Sequence, residues 1–392
     1  MCIRFLLQSM PYHYLDHISR TPLAPEALEA MQPWWQDRVG TSGGVHRACV
    51  ATRNALECAR EQAAALLGLD SPESILWTSS GAEAVVTGLG AIPKAARSGS
   101  RLLTTRVERP ELLKAALRLH DQEGVALDYA PVDSDGRVDV AGLRALAGPD
   151  TFMIATHLAH HDSGVLQPIE EIVGVARACG ARLFIDGTTA VGWTPVDLRR
   201  LPIDYLAFAP YRFYGPVGIG GLVVRSGAPF RPLIVGGDQE WERRAGAENV
   251  PGIVGAGVAC ALAAERMDER VERVRASRLR FHGGVRTALE GWRLVGPDLA
   301  QDRLPHHLSY SFPGLEGEGI ALLCDVRGVG LHSLTACAAR DLEPSHSLMG
   351  MGYDKHEALS SVVLGFGEEA SESDVDQAAS VFIGVVRRLR SI

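Results

Sequence analysis

The 392-residue chain contains very little lysine. Lys94, Lys114 and Lys355 are the only ones, and arginine supplies the rest of its 39 basic side chains. Few positions can therefore supply a nucleophilic amine. The chain also lacks a block of consecutive basic residues, and its net charge at pH 7 is −8. Both features argue against nucleic acid as a partner.

Paired cysteines and long apolar runs are also missing. The seven cysteines are scattered without a CxxC pair, which is typical of reduced thiols in a cytoplasmic protein rather than a disulfide framework or a zinc cluster. We find no apolar run of the roughly 18 residues that cross a bilayer. No small-residue cleavage site follows the short apolar start, which argues against a secretory signal. We therefore expect a cytoplasmic protein without a membrane partner.

Strand-like apolar runs alternate with helical patterns over the first part of the chain. This alternation predicts an α/β fold whose mainly parallel, seven-stranded sheet is covered by helices on both faces. The ligand crevice of such a sheet lies beyond the carboxyl ends of its strands. The predicted strands are residues 75–78, 101–104, 127–130, 152–155, 183–186, 205–209 and 221–224.

The pattern changes after a long helix that begins near residue 259. We predict an N-terminal arm at residues 1–25, a large domain at 26–265 and a smaller α+β C-terminal domain at 266–392. In the small domain, strands are expected near residues 308–312 and 360–365. The domain bound near 265 is assigned where a charged helix follows the alternating region.

Four stretches carry a family resemblance. They are residues 14–27 (YLDHISRTPLAPEA), residues 164–192 with GVLQPI and FID, residues 213–255 with FYGP, GGDQE and ENVPG, and residues 335–346 with TAC and LEPSH. In this order they resemble the NifS/IscS-type cysteine desulfurases, which are class V aminotransferases of fold-type I. The resemblance runs over about residues 14 to 390. It implies a pyridoxal-phosphate enzyme fold with a small C-terminal domain.

The family's chemistry needs an amine that bonds to the cofactor aldehyde, and lysine supplies it. That lysine corresponds to Arg212, which follows the predicted strand at 205–209, and a guanidinium stays protonated and cannot serve as this nucleophile. Lys94 follows a helix, Lys114 lies within one, and Lys355 lies in a charged turn. We expect none of them to replace the missing lysine.

Other positions of the family's pocket also differ. The histidine that stacks on the ring corresponds to Arg109, the asparagine near the ring oxygen to His160 or His161, and the glutamine that contacts the ring to Thr189. Donors around the phosphate correspond to Ala82, Ala209, Tyr211 and Ala247, and the arginine that clamps the substrate carboxylate corresponds to Val363. Two residues match the family: Asp186, the partner of the pyridinium nitrogen, and Cys337, the persulfide carrier.

Three histidines and an aspartate lie together at residues 157–162, after a predicted strand. Two histidines and a carboxylate form a common metal site, but this spacing matches no zinc pattern. Hydrogen-bonded lining of the crevice is the favoured interpretation, and an acid–base role is the alternative. We predict no metal site.

These differences predict a protein that does not use pyridoxal phosphate or another cofactor. The favoured hypothesis is a homodimeric pseudoenzyme of sulfur or iron–sulfur metabolism, which acts as a scaffold or relays sulfur through Cys337 to an assembly partner. Arg212 is then expected to pair with Asp186 and fill the cavity. One alternative is an enzyme that reuses the crevice, with Arg109 and Arg212, for an anionic small molecule. Another is pyridoxal phosphate held without an imine.

Overall fold

The computed structural model describes residues 12–92, 100–336 and 343–392. Cys337 and Lys94 lie outside these ranges. The described strands are His13–Tyr14 (β1), Ile75–Thr78 (β2), Arg101–Thr105 (β3), Ala126–Ala130 (β4), Thr151–His157 (β5), Arg182–Asp186 (β6), Tyr205–Phe208 (β7), Gly220–Val224 (β8), Arg293–Leu294 (β9), His307–Ser311 (β10), Val329–Gly330 (β11), His332–Ser333 (β12), Thr335–Ala336 (β13), Glu343–Pro344 (β14) and Ser361–Gly365 (β15).

Helices separate these strands along the chain. The described helices are Pro25–Gln36 (α1), Arg47–Leu67 (α2), Gly81–Gly90 (α3), Pro110–Glu123 (α4), Val140–Leu146 (α5), Ile169–Cys179 (α6), Val250–Ala288 (α7), Gly317–Asp325 (α8), His346–Gly350 (α9), Lys355–Leu359 (α10) and Glu372–Arg390 (α11). Lys355 thus begins a short helix rather than lying in a turn.

The described chain divides into two compact units. One contains Arg20–His161 and Val165–Asp268, and the other contains the described residues up to Ser19, Asp162–Gly164 and Glu269–Ile392. The bound between them falls inside α7. The domain boundaries that we predict after residues 25 and 265 remain untested predictions.

The first unit is built on a seven-stranded sheet of order β2-β8-β7-β6-β5-β3-β4. Strand β8 runs opposite to the other six strands of this sheet, so the predicted mainly parallel α/β sheet is confirmed. Strands β2, β7 and β8 are buried along their whole length. Strands covered on both faces read as continuous apolar runs, which is why they were visible in the sequence.

Helix α3 packs on the sheet through small residues. A Cβ at Gly88 would lie 2.5 Å from the Phe184 ring, so only glycine allows this close approach. The buried apolar cluster beneath it includes Leu76, Val85 and Leu222. This packing fixes the first turn of α3 at the carboxyl edge of the sheet, beside the ends of β6 and β7.

The second unit is α+β. Its four-stranded antiparallel sheet has the order β12-β15-β10-β9. Phe281 of α7 meets Phe366 and Phe382 with ring centroids 5.6 and 5.5 Å apart. Helix α11 begins with a capping box between Ser371 and Asp374, which explains its start.

Helix α7 is long and apolar enough to cross a membrane when judged by length and composition alone. The sequence had indicated no such run. Of its most apolar 18 residues, 56% are buried inside the protein, and the core helices of water-soluble proteins pass the same test. The helix is therefore weak evidence for a membrane protein.

Candidate functional site at the carboxyl edge of the sheet

Strand β7 ends in a tight turn that carries Arg212. Pro210–Arg212 forms one turn of 3-10 helix, and the carbonyl of Pro210 accepts hydrogen bonds from the backbone N–H of Phe213 (2.9 Å) and Gly215 (2.8 Å). A Cβ at Gly215 would lie 2.6 Å from Pro210, so the turn requires glycine there. Tyr214 has a φ of 69°, which is unusual for a residue with a side chain.

Contacts from distant parts of the chain hold this turn. The hydroxyl of Thr21 donates to the Tyr211 carbonyl (3.0 Å) and accepts from the Tyr214 N–H (2.6 Å). The indole N–H of Trp193 donates to the Arg212 carbonyl (2.7 Å). The position of Arg212 is therefore fixed by the fold rather than by its own side chain.

The Arg212 side chain is buried, with 6% exposure for the residue. Its Nε donates to the Tyr211 hydroxyl (3.2 Å), and its guanidinium carbon lies 5.4 Å from the Tyr211 ring centroid. Burial and then the nearby positive charge of Arg109 lower the pKa of Arg212. The guanidinium nonetheless remains the weakest nucleophile among basic side chains.

Arg109 precedes α4 and pairs with Glu111 in that helix's first turn. The Nε–Oε1 distance is 2.7 Å, and both side chains are 20% exposed. Burial by itself would lower the pKa of Arg109, but the carboxylates of Glu111 and Asp186 outweigh it and raise this pKa. Two guanidinium groups and two carboxyl groups thus share one small region, in electrostatic balance.

Asp186 ends β6 and is buried, with 2% exposure. Its Oδ1 accepts hydrogen bonds from the Thr188 N–H (2.9 Å) and the Thr188 hydroxyl (2.5 Å). Its Oδ2 is buried and has no hydrogen-bond partner in the described part of the chain. Burial raises the pKa of Asp186, while Arg109 and Thr188 oppose the rise.

The predicted pairing of Arg212 with Asp186 does not form within the described residues, because Oδ2 has no partner and Oδ1 bonds only to Thr188. The turn directs the Arg212 Nε to the Tyr211 hydroxyl instead. The free carboxylate oxygen is thus left for another donor.

The first turn of α3 also lies at the carboxyl edge of the sheet. Gly81 packs so closely that a Cβ there would lie 2.9 Å from the Thr188 methyl carbon and 3.0 Å from the Ala209 Cβ. Ser80 caps the helix by accepting from the Glu83 N–H (3.1 Å). The first turn of a helix presents N–H groups that suit a phosphate.

The residues around Asp186 can be compared with the needs of pyridoxal phosphate. The free Oδ2 of Asp186 fits a protonated ring nitrogen, and the α3 start supplies backbone donors beside Thr188. The aldehyde group of the cofactor has no matching residue at position 212, because Arg212 offers no amine. Lys114 and Lys355 are exposed on α4 and α10. The described residues therefore fit a cofactor held without a covalent bond.

The structure brings only part of the predicted pocket together. Arg109, Asp186, Tyr211 and Arg212 interact electrostatically, and Ala209 lies beside the start of α3. The other predicted positions are distributed as follows: Thr189 is buried after β6, Ala82 is exposed in α3, Ala247 lines a separate cavity of about 90 Å³, and Val363 lies on β15 in the other unit.

The histidines after β5 belong to a hydrogen-bonded network. His157 Nδ1 lies 2.7 Å from Glu108 Oε2, and its Nε2 lies 2.7 Å from Gln167 Nε2. His160 Nε2 contacts the Val107 carbonyl at 3.1 Å, and the His161 ring lies 4.7 Å from that of His160. Among the described residues no group of three or more His, Cys, Asp or Glu is placed to hold a metal.

Three residues important to this region were not identified from the sequence. Glu108 is fully buried and also accepts from Thr105 (2.8 Å), and Glu111 neutralises Arg109. Both look like ordinary acidic residues near a helix start. Thr188, two residues after Asp186, was detectable, because Asp-x-Thr favours a local turn in which the side chain bonds to the backbone.

Comparisons with known proteins agree with this geometry. The family model "Aminotransferase class-V" matches residues 13–378. A protein named cysteine desulfurase from Gluconacetobacter diazotrophicus is 35% identical, with 97% of this chain and 94% of the relative covered. Cysteine desulfurase IscS from Dictyoglomus turgidum is 34% identical, with 97% and 95% covered.

Solved structures are similar over the same length. A protein described as NifS-like superposes with a TM-score of 0.89 at 28% identity, covering 97% of this chain and all of that one. SspA in complex with cysteine superposes with a TM-score of 0.78 at 26% identity, covering 92% of this chain and all of that one. The predicted fold-type I architecture is therefore confirmed.

The prediction that the protein uses no cofactor is wrong. It rested on the combined loss of the lysine, the phosphate donors and the substrate clamp, whereas the likeness to cysteine desulfurases extends over 97% of the chain and points to pyridoxal phosphate. The free oxygen of Asp186 agrees with that correction. Arg212 still means that position 212 offers no amine for a bond to the cofactor aldehyde. From fold, site and sequence together, this chain belongs to the aminotransferase class-V family, and its predicted resemblance to NifS/IscS-type cysteine desulfurases is confirmed.

Proposed function

We propose that this protein acts in sulfur metabolism as a cysteine desulfurase-like protein that holds pyridoxal phosphate without a covalent bond. The observation that carries the proposal is the buried Asp186 Oδ2, which has no hydrogen-bond partner in the described residues although the Asp186 carboxylate acts electrostatically on the nearby Arg212. A buried carboxylate oxygen without a donor is costly, and a protonated ring nitrogen would supply one.

The roles of the chain's own residues follow from their contacts. Asp186 binds the ring nitrogen and keeps it protonated, while Thr188 fixes the carboxylate in place. The backbone N–H groups at the start of α3 would hold the phosphate. Bound pyridoxal phosphate supplies an electron sink for amino-acid chemistry. Arg212 occupies the lysine position and leaves the cofactor exchangeable.

Equilibrium binding of pyridoxal phosphate tests this proposal. Asp186→Asn keeps the shape but removes the charge, and we expect about 10- to 100-fold weaker binding, the usual effect of one charge-assisted hydrogen bond. Asp197→Asn, an exposed carboxylate, is the matched control and should bind normally. Borohydride should leave no cofactor attached to the wild-type chain. Equal affinity of the Asp186 and Asp197 variants would refute the role of Asp186.

Without the lysine, we propose that sulfur reaches the protein from outside. The Cys337 thiolate attacks the outer sulfur of a persulfide on a partner desulfurase. The partner's S–S bond breaks, its cysteine leaves as a thiolate, and Cys337 becomes the persulfide, with no net change of oxidation state. An iron–sulfur assembly protein would be a suitable final acceptor.

Sulfur labelling tests this relay. Burial raises the pKa of the Cys324 thiol to about 12 and also raises that of Cys260, which makes both poor nucleophiles. Cys58 is exposed and serves as the control. With an active desulfurase and labelled cysteine, Cys337→Ser should lose the label and Cys58→Ser should keep it. Equal labelling of the Cys337→Ser protein would end the relay hypothesis without affecting the cofactor proposal.

We also propose a cytoplasmic homodimer. Exposed apolar side chains concentrate between residues 217 and 241, including Val217, Val235 and Trp241. Surfaces of this kind on a folded unit favour association. Light scattering should give twice the chain mass of 42.1 kDa. A monomer at micromolar concentration would contradict this part.

A further inference from the structure

A second pocket lies entirely within the C-terminal unit. Its volume is about 680 Å³, in the range of small-molecule sites. Four arginines line it: Arg275, Arg278, Arg286 and Arg303. We call it the arginine pocket. Among the described residues that line it, Asp298 is the only carboxylate beside these four guanidinium groups.

Arg278 is the least expected of these residues, because it is only 2% exposed. Its terminal nitrogens donate to the carbonyls of Leu304 (3.1 Å) and Leu299 (3.0 Å). Its Nε is buried and has no hydrogen-bond partner in the described ranges, and no carboxylate there pairs with it. A buried charge is ordinarily paired, so this one calls for an anion.

The charge of Arg278 and those of the neighbouring arginines also favour an anion in this pocket. Burial, followed by repulsion from Arg275, lowers the pKa of Arg278 to about 10, so it is still a cation at neutral pH. Arg275 and Arg286 are exposed. Neither side chain forms a hydrogen bond or ion pair within the parts of the chain that the structure describes. Two exposed guanidinium groups and one buried one are therefore available to an anion.

The rest of the lining is apolar and aromatic. Leu279 and Leu294 line the pocket beside Trp292, which is partly buried and meets His282 edge-on at 5.4 Å. The His282 ring stacks on Tyr310 with an interplanar angle of 7°, and its Nδ1 lies 2.8 Å from the Tyr310 hydroxyl. Inorganic phosphate would use none of this surface, whereas a flat ring would bury it.

We propose that the arginine pocket binds a small phosphate-bearing molecule with a flat aromatic part, of the charge and size of a nucleoside diphosphate. The arginines hold the phosphates, and the surface around Trp292 holds the ring. This site is built from the C-terminal unit alone and is independent of the function proposed for the Asp186 region.

Calorimetric titration of the full-length protein with ADP, pyrophosphate and adenosine tests the proposal. ADP should bind saturably and at least ~10-fold more tightly than either part alone, because phosphate and ring contacts add. The double variant Arg275→Gln/Arg286→Gln alters only exposed side chains and should weaken ADP binding ~10-fold or more. Arg273→Gln, on the same helix and outside the pocket, is the control that removes one positive charge away from the lining, and it should leave the affinity unchanged.

Three results would overturn the proposal. They are the absence of saturable ADP binding below ~5 mM, unchanged ADP affinity in the Arg275→Gln/Arg286→Gln protein, or pyrophosphate binding as tightly as ADP. The last result would remove the aromatic part of the claim. Trp292→Leu provides the corresponding check, since it should weaken ADP and leave pyrophosphate unaffected.

Discussion

Arg212→Lys is the most informative single change, because it returns an amine to the turn after β7. The carbonyl of residue 212 would still accept from Trp193, and Thr21 would still hold the turn. Only the side-chain chemistry changes. We expect the variant to attach pyridoxal phosphate covalently at position 212.

The size of the effect follows from the surroundings of the side chain. Burial, and then Arg109, already lower the pKa of the arginine at this position, and both act on a lysine in the same way. If they lower the lysine pKa from about 10.4 by about 2 units, the neutral fraction at pH 8 rises from about 0.4% to about 30%. An amine with that fraction of free base is a competent nucleophile.

Borohydride reduction followed by peptide mass spectrometry measures the attachment. The expected product is one reduced cofactor on the peptide that contains residue 212. Arg212→Met, which removes the guanidinium without adding an amine, is the matched control and should give none. Adding Arg109→Gln to the lysine variant removes the repulsion and should slow attachment at pH 8, because more of the lysine is protonated.

The reasoning is refuted if the lysine variant binds pyridoxal phosphate as well as the wild type but gives no adduct at position 212. Covalent attachment should not restore cysteine desulfurase turnover. Ala82 and Ala209 still lack the hydroxyl groups of the family pattern, and Val363 cannot clamp a carboxylate. Turnover near that of an active relative would show that these positions matter less than we infer.

Two further predictions concern stability. Glu111→Gln should lower the free energy of unfolding at pH 7 by about 1–3 kcal/mol, because Arg109 loses its ion-pair partner. Burial alone would raise the pKa of Glu111, but the positive charge of Arg109 outweighs burial, so the pKa is lowered in the folded state. The ionised carboxylate therefore stabilises the fold fully above its unfolded pKa of about 4.3. This stabilisation is lost as the pH falls through the lower pKa of the folded state. Urea unfolding should show that the difference in free energy of unfolding between the Glu111→Gln variant and the wild type is smaller at pH 3 than at pH 7. An equal difference at the two pH values would contradict the pairing of Glu111 with Arg109. Gly192→Ala should cost about 2–4 kcal/mol, because φ is +84° and the new Cβ would lie 2.4 Å from the Phe213 ring. Gly180→Ala is the control, because Gly180 has a φ of +75° but no atom within 4 Å of the new Cβ, so this variant shows the cost of the backbone conformation alone. Equal melting temperatures for the two variants would rule out a steric clash of residue 192 with Phe213.

Local sequence patterns predicted much of the secondary structure. The strand Ile75–Thr78 has the bounds that its pattern indicated. Other elements shifted by one to a few residues, as for β5, which extends from Thr151 to His157. The buried strands were visible because both of their faces are covered, which gives unbroken apolar runs.

The cofactor prediction failed for a physical reason. The altered residues together were expected to abolish cofactor binding, although one contact that suits the cofactor survives in the described residues. That contact, the free oxygen of Asp186, depends on where Thr188 and Arg212 direct their hydrogen bonds. Those directions are set by turn geometry, which residue types alone do not specify.

The sequence by itself determined the family, the order of the elements and the absence of lysine at position 212, because these depend on residue identity and local periodicity. Only the tertiary structure decided that Arg109 pairs with Glu111, that Arg212 bonds to Tyr211, and that one oxygen of Asp186 has no hydrogen-bond partner among the described residues. It also brought Arg278 into the arginine pocket, where no carboxylate of the described residues pairs with it. Pairing and burial of charges depend on distances between residues far apart in the chain, and folding alone sets those distances.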